Sequence, residues 1–296
     1  MPKSKLSKPK LVLASLGGLI IAFGVGFAIW LQTPWAHDKA KTLAAQAKVL
    51  EKTNEYDALV KYQMATFLDP ANASYENAIA DLYLQRHRPD AAILALGHLP
   101  KGEGRQRIAE IQFRQGKYDE AVRTLIDDRS GPAIELTAKC LMEKGQGSAA
   151  VELLTRADTD EAALLMALAQ ASLSQPVTKR SVSSPEAAQA LQRAEAGKLP
   201  LAQELYTRGL LHSSQRVLES VPNDNVEKFK LLANINLSIQ PVTSAGLKQA
   251  QSVAQAGLNL NPGDLPLRKL LRDVDIKLGL SQEASRQTNL INELSH

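Results

Sequence analysis

Catalysis and metal binding require particular side chains at particular spacings, so the chain is read first for those. Its five histidines are His37, His87, His98, His212 and His296, and its one cysteine is Cys140. No His-Glu-x-x-His, Cys-x-x-Cys, Gly-x-Ser-x-Gly or Gly-x-x-x-x-Gly-Lys spacing occurs, so the residues name no zinc site, nucleophile elbow or phosphate cradle. Gly102-Glu103-Gly104 before Arg105 has the composition of a glycine-rich loop, but no strand precedes it, and it reads as a connector between helices. A lone cysteine closes no intramolecular disulfide, and Cys140 reads as a small core hydrophobe. The expectation is a chain without catalytic residues, metal or cofactor. What remains is charge: Arg105 with Arg107, and Arg268 with Lys269 and Arg272. Such groups can grip carboxylates, or simply face solvent along a helix.

The charge balance narrows the partners. The chain has 35 Lys plus Arg against 31 Asp plus Glu, and four of the lysines, Lys3, Lys5, Lys8 and Lys10, fall in the first ten residues. The remainder balances at 31 against 31, so the basic character belongs to the tail. A neutral domain lacks the single-sign field of a nucleic-acid binder. Aromatics make up only 4% of the chain while Ala, Leu and Gln are abundant, which favours closely packed helices over sheet.

The elements that would position any site begin with 11–31, LVLASLGGLIIAFGVGFAIWL, an uncharged apolar run. As a helix it spans about 31 Å, close to the hydrocarbon thickness of a bilayer. It is longer than the apolar core of a cleaved signal, and the following Gln32-Thr33-Pro34-Trp35-Ala36 makes a poor cleavage site, so it reads as a retained anchor. The four tail lysines place 1–10 in the cytoplasm and the rest of the chain outside, with Trp30 and Trp35 at the outer interface. Within the run, Ala14, Gly18, Ala22 and Gly26 form a stripe of small side chains suited to pairing with a second membrane helix, in a homodimer or with another protein.

Beyond the anchor the chain repeats. Asn54-Glu55-Tyr56-Asp57-Ala58 leads to Tyr62, Ala65 and Leu68-Asp69-Pro70, and Ala80, Tyr83, Ala92 and Leu96 follow in a second unit. Ala58 and Ala92 are 34 residues apart, as are Ala250 and Ala284, and Leu258-Asn259-Leu260-Asn261-Pro262 repeats the earlier ending. In the middle, Gln115-Gly116-Lys117-Tyr118-Asp119-Glu120-Ala121 and Lys144-Gly145-Gln146-Gly147-Ser148-Ala149-Ala150 are further copies, and Ala92, Ala121 and Ala150 step by 29. The shorter step predicts compact middle repeats of irregular curvature. These residues resemble the tetratricopeptide repeat family from about Lys39 to His296. That resemblance implies an all-α, superhelical solenoid of helix pairs whose first helices line a concave groove. Arg105, Arg107, Arg268, Lys269 and Arg272 would then be groove residues. The matched basic and Asn positions of the family's carboxylate clamp are not found, so recognition of a chaperone C-terminus does not carry over.

Breaks are expected near Pro70, Pro89, Pro100, Pro132, Pro176, Pro200, Pro222, Pro241 and Pro262. The most polar interruption, 174–184, predicts an exposed, protease-sensitive loop and a soft boundary, after which Ser184-Pro185-Glu186 reads as a helix cap and first turn. The expected organisation is a basic cytoplasmic tail at 1–10, a transmembrane helix at 11–31 and a linker at 32–38. Repeats follow at 39–173, then the loop at 174–184, and then repeats at 185–296 closed by a capping helix from Ser281. The function expected is a scaffold or assembly factor for a bacterial envelope complex such as a pilus, secretion or wall-synthesis machine. It would sit in the inner membrane with its domain periplasmic or otherwise extracytoplasmic, binding other proteins and no nucleic acid. The alternative is a cytoplasm-facing adaptor that delivers substrates to a membrane protease or synthase. An enzyme built at the loop from Ser174 to Pro185 is the remaining class, and no residue asks for it.

Overall fold

A computed structural model describes residues 33–99, 103–176 and 183–295. The expected membrane helix and its pairing stripe lie outside those residues. Among the described residues no helix is long and apolar enough to cross a membrane. The described chain contains sixteen helices and no strand.

The helices follow one another as hairpins. The first pairs are α1 (Pro34–Leu50) with α2 (Glu55–Leu68), and α3 (Ala73–Gln85) with α4 (Pro89–Gly97). Next come α5 (Arg105–Arg114) with α6 (Tyr118–Thr124), α7 (Gly131–Glu143) with α8 (Gly147–Leu154), and α9 (Asp160–Ser172) with α10 (Pro185–Glu195). The last are α11 (Lys198–Thr207) with α12 (Leu211–Glu219), α13 (Val226–Ser238) with α14 (Ser244–Leu260), and α15 (Leu265–Lys277) with α16 (Ser281–Leu294). The described chain divides into two compact units between Ile108 and Ala109, within α5.

Two kinds of turn build the pairs. Many first helices open on a polar cap: Asn72, Ser130, Thr159, Asn225 and Asp264 each accept a backbone N–H of the first turn. In six of the eight described pairs the turn from first to second helix instead carries one residue at positive φ, at His87, Gly116, Gly145, Ser174, Gly209 and Gly279. At each, the next residue's N–H reaches back to a carbonyl near the helix end, as Lys117 does to Gln112 at 2.9 Å and Gln175 to Gln170 at 2.9 Å. This is the Schellman closure, which satisfies carbonyls the helix leaves bare. The first four of these turns step by 29 residues, extending the spacing of Ala92, Ala121 and Ala150.

The alanines of the repeat face the interior: Ala58, Ala92, Ala121, Ala150 and Ala250 are fully buried and Ala284 nearly so. Gly104 packs under the end of α4, where an added Cβ would lie 2.4 Å from the Leu96 carbonyl oxygen, so this glycine serves a tight connection. Prolines punctuate the helices in two ways. Pro70, Pro176, Pro222 and Pro262 stand between helices, whereas Pro89, Pro132 and Pro200 lie in first turns, where proline's missing N–H costs nothing. The predicted cap at Ser184 is present: its side chain accepts from Ala187 N–H, with Pro185 and Glu186 in the first turn. α1 begins at Pro34 behind the Thr33 cap, so much of the span read as a linker is helical.

In the first unit each helix from α1 to α4 packs on the next. In the second unit the same holds from α6 to α16, and first helices also touch across pairs, α7 on α9, α9 on α11, α11 on α13 and α13 on α15. One contact is not of this kind, because α12 of the sixth pair also reaches α7 of the fourth. Stacked repeats ordinarily touch only their neighbours. Here α9 is enclosed, with every residue from Ala162 to Gln170 buried, and one core cluster runs from Ile134 to Ile235. That core draws on Ala169 and Ala187, on either side of the 174–184 segment.

Candidate functional site

The basic residues singled out in the sequence fall in separate places. Arg107 reaches from α5 to α3, donating to Asn77 Oδ1 and Asp81 Oδ1, both at 2.5 Å. Arg105 is half-buried on the same helix. On α15, Arg268 donates to the Pro262 carbonyl at 2.8 Å and to Gln287 Oε1 at 3.2 Å, and Arg272 pairs with its neighbour Asp273. Lys269 is exposed. Cys140 lies fully buried among Ala109, Ala121, Leu125, Ala133 and Leu136. Burial, then nearby Glu143, pushes its thiol up to about 12, which makes it a poor nucleophile.

The most elaborate titratable cluster forms where α12 meets α7. Glu143, 4% exposed, accepts from the backbone N–H groups of His212 and Ser213, both at 2.9 Å. It also lies 3.0 Å from His212 Nδ1, and Tyr118 donates to it at 3.2 Å. α12 has no side-chain cap of its own, because Leu210 occupies that position. The carboxylate from α7, 69 residues away in sequence, therefore caps it and meets the positive end of its dipole. Burial alone would raise the carboxyl of Glu143, but the donors from His212 and Ser213 outweigh it and hold the group below the usual range. Burial first, and then Glu143, raises the Tyr118 hydroxyl. Arg216 completes the contact by donating to the Met142 and Glu143 carbonyls and to Ser213 Oγ. Every group here is engaged with another part of the fold, and the cluster is a clasp.

The surfaces left open are grooves. In the first unit, α1 and α3 border one of about 680 Å³ lined by Ala44, Ala45 and Ala78. Tyr62 donates to Glu51 at 2.6 Å along it. A second groove, of about 510 Å³, lies over α3 between α2 and α4. In the second unit a groove of about 550 Å³ lies over α15 between α14 and α16.

The last two are the same groove in different repeats. Ala58 and Ala250, like Ala92 and Ala284, are 192 residues apart, and that shift superposes one lining on the other. Gln63 corresponds to Gln255 and Ile79 to Leu271, which preserves one wall and part of the floor. Elsewhere the chemistry is exchanged: Phe67 for Asn259, Tyr83 for Asp275, Ala91 for Glu283, Leu94 for Arg286 and Ala95 for Gln287. In the first unit Phe67 and Leu94 stand 60% and 70% exposed, and the buried Thr66 Oγ1 on that wall has no hydrogen-bond partner among the described residues. In the second unit Asp275 is 1% exposed and its Oδ1 accepts from Gln251 Nε2 at 2.6 Å. Burial, with Glu283 adding to it, raises the carboxyl of Asp275. Sequence reading missed Glu143, His212 and both grooves. The clasp has no local signal, whereas the grooves follow from the 34-residue register once every position is compared across it.

No protein-family model and no curated protein matches the chain. Among solved structures, a tetratricopeptide repeat protein from Parabacteroides merdae is 11% identical, with 80% of this chain and 99% of that one covered and a TM-score of 0.43. The tetratricopeptide domain of P58(IPK) is 15% identical over 86% of this chain and 92% of its own, with a TM-score of 0.26. The corresponding domain of yeast Sti1, in complex with pHSP90, is 13% identical over 86% and 90%, with a TM-score of 0.29. The tetratricopeptide-like character of this fold rests on the chain's own helix pairs, turns and spacings.

Proposed function

We propose that this chain is a protein-interaction scaffold held at a bacterial inner membrane by 11–31, with its helical units on the extracytoplasmic side, where it docks components of an envelope assembly. The observation that carries the binding reading is the groove over α3, where Phe67 and Leu94 stand exposed on its two walls beside a buried hydroxyl that has no hydrogen-bond partner among the described residues. Exposed apolar groups gathered in one concavity mark a surface made to be covered. The anchor and its orientation rest on the apolar run and on the tail lysines. Tethering raises the local concentration of partners without a tight intrinsic interaction. The basic positions Arg105 and Lys269 belong to this reading as contacts for a partner's carboxylates, whereas Arg107, Arg268 and Arg272 are engaged within the fold.

A photo-crosslinking residue at Leu94 in cells tests the binding site. The reading expects a discrete adduct with an envelope protein, lost when Phe67 is changed to Glu; no adduct, or one indifferent to that change, contradicts it. Protease digestion of cells stripped of their outer barrier tests the orientation. Digestion of the C-terminal region supports the extracytoplasmic placement, and survival until the membrane is opened favours the cytoplasmic adaptor. If Ala14, Gly18, Ala22 and Gly26 pair two anchors, changing Gly18 and Gly26 to Ile lowers the crosslinked dimer yield, and an unchanged yield rejects that pairing.

A further inference from the structure

Asp275 stands where a carboxylate is least expected. It lies in the last turn of α15, at the negative end of the helix dipole. It is 1% exposed, and its side chain receives one neutral hydrogen bond, from Gln251. The other buried acid described above, Glu143, takes backbone donors and a histidine, but Asp275 meets no cation among the described residues. Its neighbour across the groove, Glu283, adds a second negative charge, and Arg286 stays exposed at the rim. A buried carboxylate with this little compensation is costly unless a cation is supplied from outside. Beside Ser252, Ala256 and Leu271, the lining carries the amides of Gln255 and Asn259, themselves linked at 3.3 Å, and of Gln287. Side-chain amides both donate and accept, which suits the bare N–H and C=O groups of an extended peptide.

We infer that the groove between α14 and α16 docks an extended segment of a partner protein by taking one of its lysine or arginine side chains onto Asp275 and Glu283. The inference deepens the scaffold reading and rests on it. The cation would sit between the two carboxylates at the helix end, and the amides of α14 and α16 would hold the flanking backbone. The groove is about 550 Å³, room for a few residues of peptide. The 192-residue register shows that the same position in the first unit holds Tyr83, so the site belongs to the second unit alone.

The test is selection of a random dodecapeptide display library on the full-length chain in detergent, repeated on the D275N variant. Sequences enriched by the native chain should carry Lys or Arg at one fixed position, and D275N should abolish that preference. A peptide so selected should lose about tenfold in affinity with D275N and less with E283Q, which alters an exposed carboxylate and leaves the core untouched. Thermal unfolding of both variants establishes that they fold. Enrichment without a fixed basic residue, no enrichment, or enrichment unchanged in D275N would overturn the inference. The scaffold reading has its own test at Leu94, in the other unit, so the two can fail separately.

Discussion

Among the carboxylates buried in the second unit, Glu204 and Asp264 are paired with cations, whereas Glu143 and Asp275 are treated in opposite ways. Glu143 is surrounded by donors from α12 and by Tyr118, and its acidity is enhanced; Asp275 receives one amide, and its acidity is weakened. The first arrangement spends the charge on holding α12 against α7. The second leaves the charge facing a groove. An acid that the fold satisfies is part of the fold, and one that the fold leaves wanting points to something the fold does not contain.

The largest effect expected from breaking this contrast is at the clasp. Glu143→Ala removes the cap of α12 and leaves two buried N–H groups and His212 without their acceptor, and chemical denaturation should show a loss of about 3 kcal/mol. The wall of the Asp275 groove comes next. An added Cβ at Gly257 would lie 2.7 Å from Leu267 Cδ1 and 2.9 Å from Phe229 Cβ, so Gly257→Ala should cost about 2 kcal/mol through overpacking. It should also weaken peptide capture by shifting α14. The pH dependence of Glu143 sharpens the contrast further. Its folded acidity is enhanced, so its contribution is present above the ordinary glutamate range and is lost as pH falls through the lower folded value. The difference in stability between the native chain and Glu143→Gln should therefore shrink on acidification. The smallest effect is remote from both acids: His87→Gly relaxes a left-handed residue and should stabilise the first unit by about 0.5 kcal/mol in thermal unfolding.

How much of this the sequence showed depends on whether the signal was local. Ala58, Ala92, Ala250 and Ala284 marked the helix contacts because a small residue is required there at a fixed interval, and Gly116 and Gly145 marked two turns by their tolerance of positive φ. His87 and Ser174 fill the same turn in the same 29-residue step, but as side-chain-bearing residues they escape a search for glycine. Glu143 meets His212 only because α12 reaches back across the core, and no periodicity records a contact of that range. Asp275 was hidden differently. On its own it reads as a charged helix residue, and only its alignment with Tyr83 reveals that it occupies the floor of a groove. The basic residues were conspicuous as a type, yet Arg107 and Arg268 are already committed to neighbouring side chains or carbonyls.

The contrast between an acid held by several donors and one held by a single amide is tested most directly by urea unfolding of the native chain, E143Q and D275N at neutral and acid pH. Because the acidity of Asp275 is weakened on folding, its ionised form opposes folding above the raised folded value, and that penalty fades as pH falls toward the ordinary aspartate range. D275N should thus be more stable than the native chain at neutral pH, with the gain shrinking on acidification, while E143Q should be less stable. If D275N instead loses stability at neutral pH as E143Q does, then Asp275 is a structural group like Glu143, and the groove between α14 and α16 is not held open for a partner's cation.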